Sequence, residues 1–503
     1  MNNKINTKIV LPFLLLALGA IVWVKFLSPS KDIENVADTH PDIEFKELSL
    51  DLQPTKIPEI DRPTQLKFKL LEMLKKERFT ALDKSIEAEA IRFDRGELSE
   101  SDFDIIISSL APVDPELEQP ILNWISHSES WAAYMVAARY FEYMSFQWRG
   151  GAYWSKVPEH NRKKFNEYQE LAKAVSAKAK QNNNRDVLWY SDKIGFANQG
   201  GSDNEMDMIR EALETFPESI VVHHAAIAAQ NSKWGGDESF RQQLIRNYAT
   251  ILDKELHDGG PTINRYRAED AADKKDYISA IREMRVAIQQ SPNRLFYYSK
   301  LANYYYKTEQ YGLALAAIDT TLKHRSNRGG DLLLRANILL RIDKPERAID
   351  DLEALLSFSP MHKEANTQAF SAYAKLGKRQ RALDTLENAG YFTQHNPREL
   401  SRQGFFARYD LKDLELATDY YNRVLELDPS SSAAHYAFAS LYGEQSSCKV
   451  VKPLHEYLKS CSSNQGEHWC KPRYKNWAIS SVSFLKEHKK CTEIFDYQFD
   501  YLF

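Results

Sequence analysis

An alanine returns at fixed intervals through the second half of the chain. Ala280, Ala314, Ala348 and Ala382 stand 34 residues apart, and Ala417 follows after 35. Each lies early in a similar stretch: "YISAIREMRVAI", "YGLALAAIDTTL", "PERAIDDLEALL", "RQRALDTLENA" and "LELATDYYNRVL". A helix pair with one apolar stripe cannot bury that stripe alone, so like pairs stack and each supplies a wall for the next. The alanine marks the point where two helices cross closely, and a larger side chain there costs roughly 1–3 kcal/mol of overpacking. No region alternates like a strand, so the expected fold is all-α.

The residues around Ala314 complete a pattern. Tyr298, Leu301, Ala302 and Tyr305 line a first helix, and Tyr311, Ala314 and Ile318 a second. Neighbouring units supply Ala268, Tyr277, Ala287 and Pro292, then Leu332, Ala336, Leu352 and Pro360, then Tyr373, Gly377 and Ala389. This spacing resembles the tetratricopeptide repeat. The resemblance implies a right-handed helix-turn-helix solenoid over residues 261–445, with first helices lining a concave groove and a protein or peptide as partner. A fifth unit keeps Ala417, Tyr421 and Pro429, although its first helix "RELSRQGFFARY" fits poorly. A sixth first helix, "SAAHYAFASLY", aligns through Ala439 and Tyr442, and residues 446–503 replace its second helix as a loop-rich cap.

The same step picks out groove residues. Asn303, Asn337 and Ser371 recur every 34 residues, as do Lys307, Arg341 and Lys375. Three cations in register suit an acidic segment or a terminal carboxylate, while the amides suit an extended peptide backbone. A plainer reading is that cations near a helix C-terminus are favoured by the dipole by roughly 0.3–1 kcal/mol. Asp273 holds the equivalent place one repeat earlier, which limits the ladder to three repeats.

Residues 65–245 read as a separate helical domain. "LKFKLLEMLKKERFTALDKSIEAEAIRF", the aromatic stretch from Trp124 to Trp148, "EMDMIREALETFPES" and "IVVHHAAIAAQ" carry helical spacing, and Gly96 with Ser99 marks a break and a cap. Phe79-Thr80-Ala81-Leu82-Asp83, Trp124, Ser130, Arg149-Gly150 and Trp234-Gly235-Gly236 resemble a bacterial family of unknown function that accompanies helical repeats. The resemblance implies an all-helical domain without a known activity. "SHSES" departs from the Pro-Asp-Ser type of turn common there.

The N-terminus differs from all that follows. Ile9 to Val24 carries no charge and is flanked by Lys4, Lys8 and Lys25. Sixteen residues at ~1.5 Å each reach about 24 Å, and lysine snorkelling extends that towards the roughly 30 Å hydrocarbon core. Residues 1–27 are expected to be a single-pass anchor, with cleavage after Ala17-Leu18-Gly19 as the rival. Residues 28–64 form a Pro-rich acidic linker. Lysines before the span and acidic residues after it point to a cytoplasmic N-terminus at a bacterial inner membrane, with the bulk periplasmic. The inverted topology is the alternative.

Cys448, Cys461, Cys470 and Cys491 form an even set in one region, which in an exported chain implies two disulfides. Three pairings are open. With no C-x-x-C pair the spacing is irregular for zinc, and no metal or cofactor is expected. A net charge of −4 argues against a nucleic-acid partner. No catalytic motif is present, and no catalytic residue is assigned. Of His223 and His224, one is expected to face the core and the other solvent. The rival to a scaffold is an enzyme or small-ligand binder with its site near Arg149 and Trp234. Finally, Phe495, Tyr497, Phe499, Tyr501 and Phe503 alternate up to the C-terminus, as a packed strand or as a signal read by a partner.

Overall fold

The computed structural model describes residues 62–503 apart from 152, 181–184, 201–204, 254–259, 325–327, 445–446, 464–467, 489–490, 498 and 500–503. The expected anchor at 1–27 and most of the linker lie outside the described residues. Among those described, no helix is long and apolar enough to cross a membrane, and every regular element is helical.

The first helices are α1 (Arg62–Lys75), α2 (Phe79–Asp94), α3 (Glu100–Ser108) and α4 (Glu118–Ser128). Helix α1 takes up the last residues of the expected linker, because Pro63 suits a first helical turn. Gly96 at φ 72° breaks the chain, and Ser99 Oγ then accepts from the Asp102 amide at 3.1 Å to start α3.

Seven helix pairs follow. They are α5 (Trp131–Arg149) with α6 (Glu159–Ala179), α7 (Asp186–Gly200) with α8 (Glu205–Thr215), and α9 (Ile220–Ala229) with α10 (Glu238–Asp253). Then come α11 (Pro261–Asp273) with α12 (Tyr277–Gln290), and α13 (Leu295–Lys307) with α14 (Tyr311–His324). The last are α15 (Gly329–Arg341) with α16 (Pro345–Leu356), and α17 (Lys363–Lys375) with α18 (Arg379–Gly390). From α11 to α18 each helix packs on the next. Pairing thus begins upstream of residue 261, where the sequence period starts. Ala280, Ala314, Ala348 and Ala382 have no exposed surface at the crossings.

One compact unit spans residues 51–392, and its two ends meet. Lys67 and Phe68 of α1 lie on the Phe358 ring, and the Met361 amide donates to the Val113 carbonyl at 3.3 Å. Trp148 of α5 packs edge-on to Phe392 with ring centroids 5.2 Å apart. Asn161 of α6 donates to the carbonyls of Trp148 and Phe392 at 2.6 and 2.9 Å. The first pair of the array therefore touches the residues just after its seventh.

The described part of the second unit is 393–503. Helices α19 (Pro397–Tyr409) and α20 (Leu414–Leu427) pair around Gly404, where a Cβ would stand 2.5 Å from Tyr421 Cε1. The poorly fitting "RELSRQGFFARY" is thus a first helix whose close approach depends on glycine, and Ala417 is again fully buried. Helix α21 (Ser432–Glu444) packs on α22 (Val451–Ser463), and α23 (Pro472–Glu487) follows. This corrects the expectation of a loop-rich cap: α22 completes the sixth pair. Val451, Leu454, Tyr457, Leu458 and Cys461 give it a buried face. The disulfides join Cys448 to Cys491 and Cys461 to Cys470. Phe499 is buried with its ring 5.5 Å from that of His455, and a 3-10 turn at Thr492–Phe495 stands where a strand was one expectation. Residues 501 and 503 lie outside the described residues.

Candidate functional site

The 34-residue step fixes more than the alanines. Lys275, Glu309, Asp343 and Gly377 each end a first helix at positive φ, at 64°, 61°, 59° and 68°. On α13 the residues that are not buried are Phe296, Lys300, Asn303, Tyr306 and Lys307, and four of them, Phe296, Lys300, Asn303 and Lys307, form one helical stripe. The same register gives Gly330, Leu334, Asn337 and Arg341 on α15, and Glu364, Gln368, Ser371 and Lys375 on α17. Alanine crossing, left-handed turn residue and open stripe share one period. The described helices thus form a helix-turn-helix array with one repeating geometry.

No family model matches the chain, and no curated protein matches it. The resemblance of residues 66–245 to a bacterial helical family therefore rests on its own residues. Among solved structures, MamA from Desulfovibrio magneticus RS-1 is 18% identical over 35% of this chain and 98% of its own, with a TM-score of 0.32. YrrB, titled a TPR protein with an unusual peptide-binding site, is 15% identical over 38% and 96%, with a TM-score of 0.32. PilW, a type IV pilus biogenesis factor, is 13% identical over 43% and 97%, with a TM-score of 0.35.

Following the stripe upstream leads to a charged stretch of the helical array. Lys300 Nζ lies 3.1 Å from Glu269 Oε1, and Arg265 Nε lies 3.3 Å from the same oxygen. The Arg265 guanidinium stacks 4.0 Å from the centre of Tyr266. Burial opposes the Glu269 charge, but Arg265 and Lys300 hold its carboxyl below the usual range. His224 of α9 lies within electrostatic reach of Arg265, Glu269, Lys300 and Asp104. On α5, wholly buried Arg139 donates to Asp192 and to Asp104, each at 2.7 Å, and to Ser108 Oγ at 2.6 Å. Nearby Tyr143 keeps 40% of its surface open.

These groups share an electrostatic signature. His224 and Tyr143 both reach solvent, yet burial pulls the His224 pKa down to about 4 and pushes that of Tyr143 up. Neighbouring protein atoms therefore weigh on the charged form of each side chain even where part of it is open. His223 has turned into the core, where Nδ1 is 2.8 Å from the Ser219 carbonyl. The two histidines divide as the sequence implied.

The ladder residues lie on the open stripe of the first helices, with partial engagement inside the chain. Lys307, Arg341 and Lys375 are each the last residue of a first helix, the place that the helix dipole favours. Lys375 is ion-paired with Asp343, and a hydrogen bond to Tyr306 is the main cause that raises the Arg341 pKa. Lys307 lies 5.8 Å from the Tyr306 ring. Ser371 donates back to the Thr367 carbonyl at 3.2 Å. Asn303 and Asn337 are half-buried and have no hydrogen-bond partner among the described residues. Glu269 was legible as the residue one step before Asn303. Arg139, Asp192 and Asp104 lie upstream of the clear period and left no such signal.

A second location is built from the family-like motifs. Asp83 Oδ1 accepts from Trp124 Nε1 at 3.0 Å and from Ser130 Oγ at 2.8 Å, beside a cleft of about 310 Å³ lined also by Lys84, Glu87 and Trp131. Arg149 only reaches its neighbouring Gly150 carbonyl, at 3.4 Å, and the Trp234 side chain lies outside the described residues. Gly235 closes a turn at φ 90°, and a Cβ on Gly236 would meet the Gln230 backbone at 2.4 Å. Both glycines thus have structural causes. Among the described residues no group of three or more ligand-type side chains could hold a metal ion.

Proposed function

We propose that this chain is a membrane-anchored scaffold of the periplasm whose first-helix face holds an extended segment of a partner protein. The observation that carries the reading is the Arg265–Glu269–Lys300 cluster at the upstream end of the Asn303–Asn337 stripe. Two cations share one carboxylate there, which leaves a positive excess for an acidic side chain or a terminal carboxylate. The free amides downstream suit a peptide backbone, whose donors and acceptors repeat along the groove. Lys307, Arg341 and Lys375 extend the positive rim.

Two disulfides in the terminal unit suit an oxidising compartment, and the uncharged segment at residues 9–24 suits a single span. In-cell crosslinking of the intact chain, compared with Lys300→Glu and with a Lys307→Glu, Arg341→Glu, Lys375→Glu triple variant, tests the groove. Loss of a captured protein from either variant supports the reading, and an unchanged set in both contradicts it. Alkylation without reductant tests the compartment, since free thiols would favour the cytoplasmic orientation.

The cleft beside Asp83 and Ser130 supports a second reading, a small-ligand binder or enzyme in the first domain. A small molecule that co-purifies with the chain and is lost in Asp83→Ala would favour it.

A further inference from the structure

The turn between α5 and α6 displays aromatic surface that the fold does not use. Tyr153 is 87% exposed and Trp154 43%, and Tyr153 is the most open large apolar side chain among the described residues. The turn is held from below. Phe146 of α5 and Phe165 of α6 pack edge-on with centroids 5.5 Å apart, and Trp154 packs edge-on to Phe165 at 5.4 Å. Backbone bonds from Lys156 to the Tyr153 carbonyl and from Val157 to the Trp154 carbonyl, at 2.8 and 3.1 Å, set a 3-10 turn. The aromatic tip is therefore presented on a rigid base.

Cations flank it in sequence. Residues 149–164 contain Arg149, Lys156, Arg162, Lys163 and Lys164 against a single carboxylate, Glu159, in a chain whose net charge is −4. Arg149 precedes the turn, Lys156 is in it, and Arg162 stands one helical turn before Phe165 on the same face of α6. Lys164 is partly neutralised by Glu167 at 2.9 Å. Amphipathic Trp and Tyr rings settle at the headgroup level of a bilayer, and each nearby Lys or Arg adds about 1 kcal/mol on an anionic surface.

We infer that the Tyr153–Trp154 turn is a membrane-surface contact that seats the array on anionic lipid, independently of residues 9–24. A protein surface would be matched by aromatic anchors within a larger apolar patch. Here the exposed aromatic turn lies in a segment with five cations and one carboxylate, which fits phosphate headgroups better.

All four cysteines are paired, so a cysteine introduced at Ser155 is the only free thiol and takes an environment-sensitive fluorophore without removing either ring. The purified full chain is titrated with vesicles of phosphatidylcholine alone or mixed with phosphatidylglycerol, with a label at Ile278→Cys as the distant control. The expected result is a blue shift at 155, absent at 278, that requires the anionic lipid and weakens with salt. Each of Arg149→Gln, Lys156→Gln and Arg162→Gln should raise the half-saturating lipid concentration about five-fold. Three results overturn the inference: equal responses at 155 and 278, an equal response with neutral vesicles, or a response at 155 that needs an added envelope protein instead of lipid.

Discussion

The side-chain amide of Asn161 donates to the carbonyl of Phe392 at 2.9 Å, across 231 residues of sequence. Its second bond, to the Trp148 carbonyl at 2.6 Å, lies within the first helix pair, so one side chain joins that pair to a residue just after the seventh. Both carbonyls lie under buried rings, so the loss of the amide leaves acceptors without partners in a dry site. Asn161→Leu is expected to cost about 2 kcal/mol in chemical denaturation and to speed amide exchange at residues 390–392. Unchanged exchange there would show that the contact does not hold the ends together.

The desolvation of His224 makes a titration prediction. Burial, followed by Arg265, depresses the His224 pKa to about 4 from its ordinary 6.5. The unfolded chain takes up this proton as pH falls through 6.5, whereas the folded chain takes it up only near 4. The contribution of His224 to stability is therefore complete above 6.5 and lost progressively as the pH falls towards 4. An NMR titration should place the His224 midpoint near 4, and His224→Gln should remove that share of the acid sensitivity. A midpoint near 6.5 would mean that His224 is not desolvated.

The left-handed residues at the repeat turns are uneven in cost. Gly377 adopts φ 68° freely, while Glu309 and Asp343 adopt 61° and 59° with a Cβ present. Glu309→Gly is expected to stabilise by about 0.5–1 kcal/mol and Gly377→Ala to destabilise by about 1 kcal/mol in thermal unfolding. Asp343→Gly should gain slightly less, because it also loses an exposed ion pair of small value with Lys375. Opposite signs would remove the shared turn geometry from the account.

Much of this fold was legible because a repeat writes the same physics several times. The buried alanines, the turn residues and the open stripe all fall on a 34-residue step, so each checks the others. Upstream of Ala268 the step fades, since Arg139 and Asp192 satisfy each other through one particular geometry that no second repeat copies. The first helix of the fifth unit fits poorly although Gly404 keeps the step, three periods after Ala302, because there the close contact with Tyr421 needs glycine itself. Helix α22 was missed for another reason, since its cysteines suggested loops where Cys461 is part of a buried helical face.

The disulfides separate by loop length. Removal of the Cys448–Cys491 link, which spans 43 residues, is expected to cost about 4 kcal/mol, and removal of Cys461–Cys470, which spans 9, about 3 kcal/mol. Peptide mapping by mass spectrometry should recover those two pairings and no other. Thermal unfolding of Cys448→Ser with Cys491→Ser and of Cys461→Ser with Cys470→Ser gives the order.

The central claim, that the first-helix face holds a protein segment, is tested most directly by photo-crosslinking in living cells. A benzophenone amino acid is placed at Tyr143, a partly open residue of the first helix α5, and in parallel at Ile278, an exposed residue on a second helix. The account predicts a discrete protein adduct from position 143 only, and its loss when Lys300→Glu is added. Adducts of equal yield from both positions, or an adduct at 143 indifferent to Lys300→Glu, would contradict it.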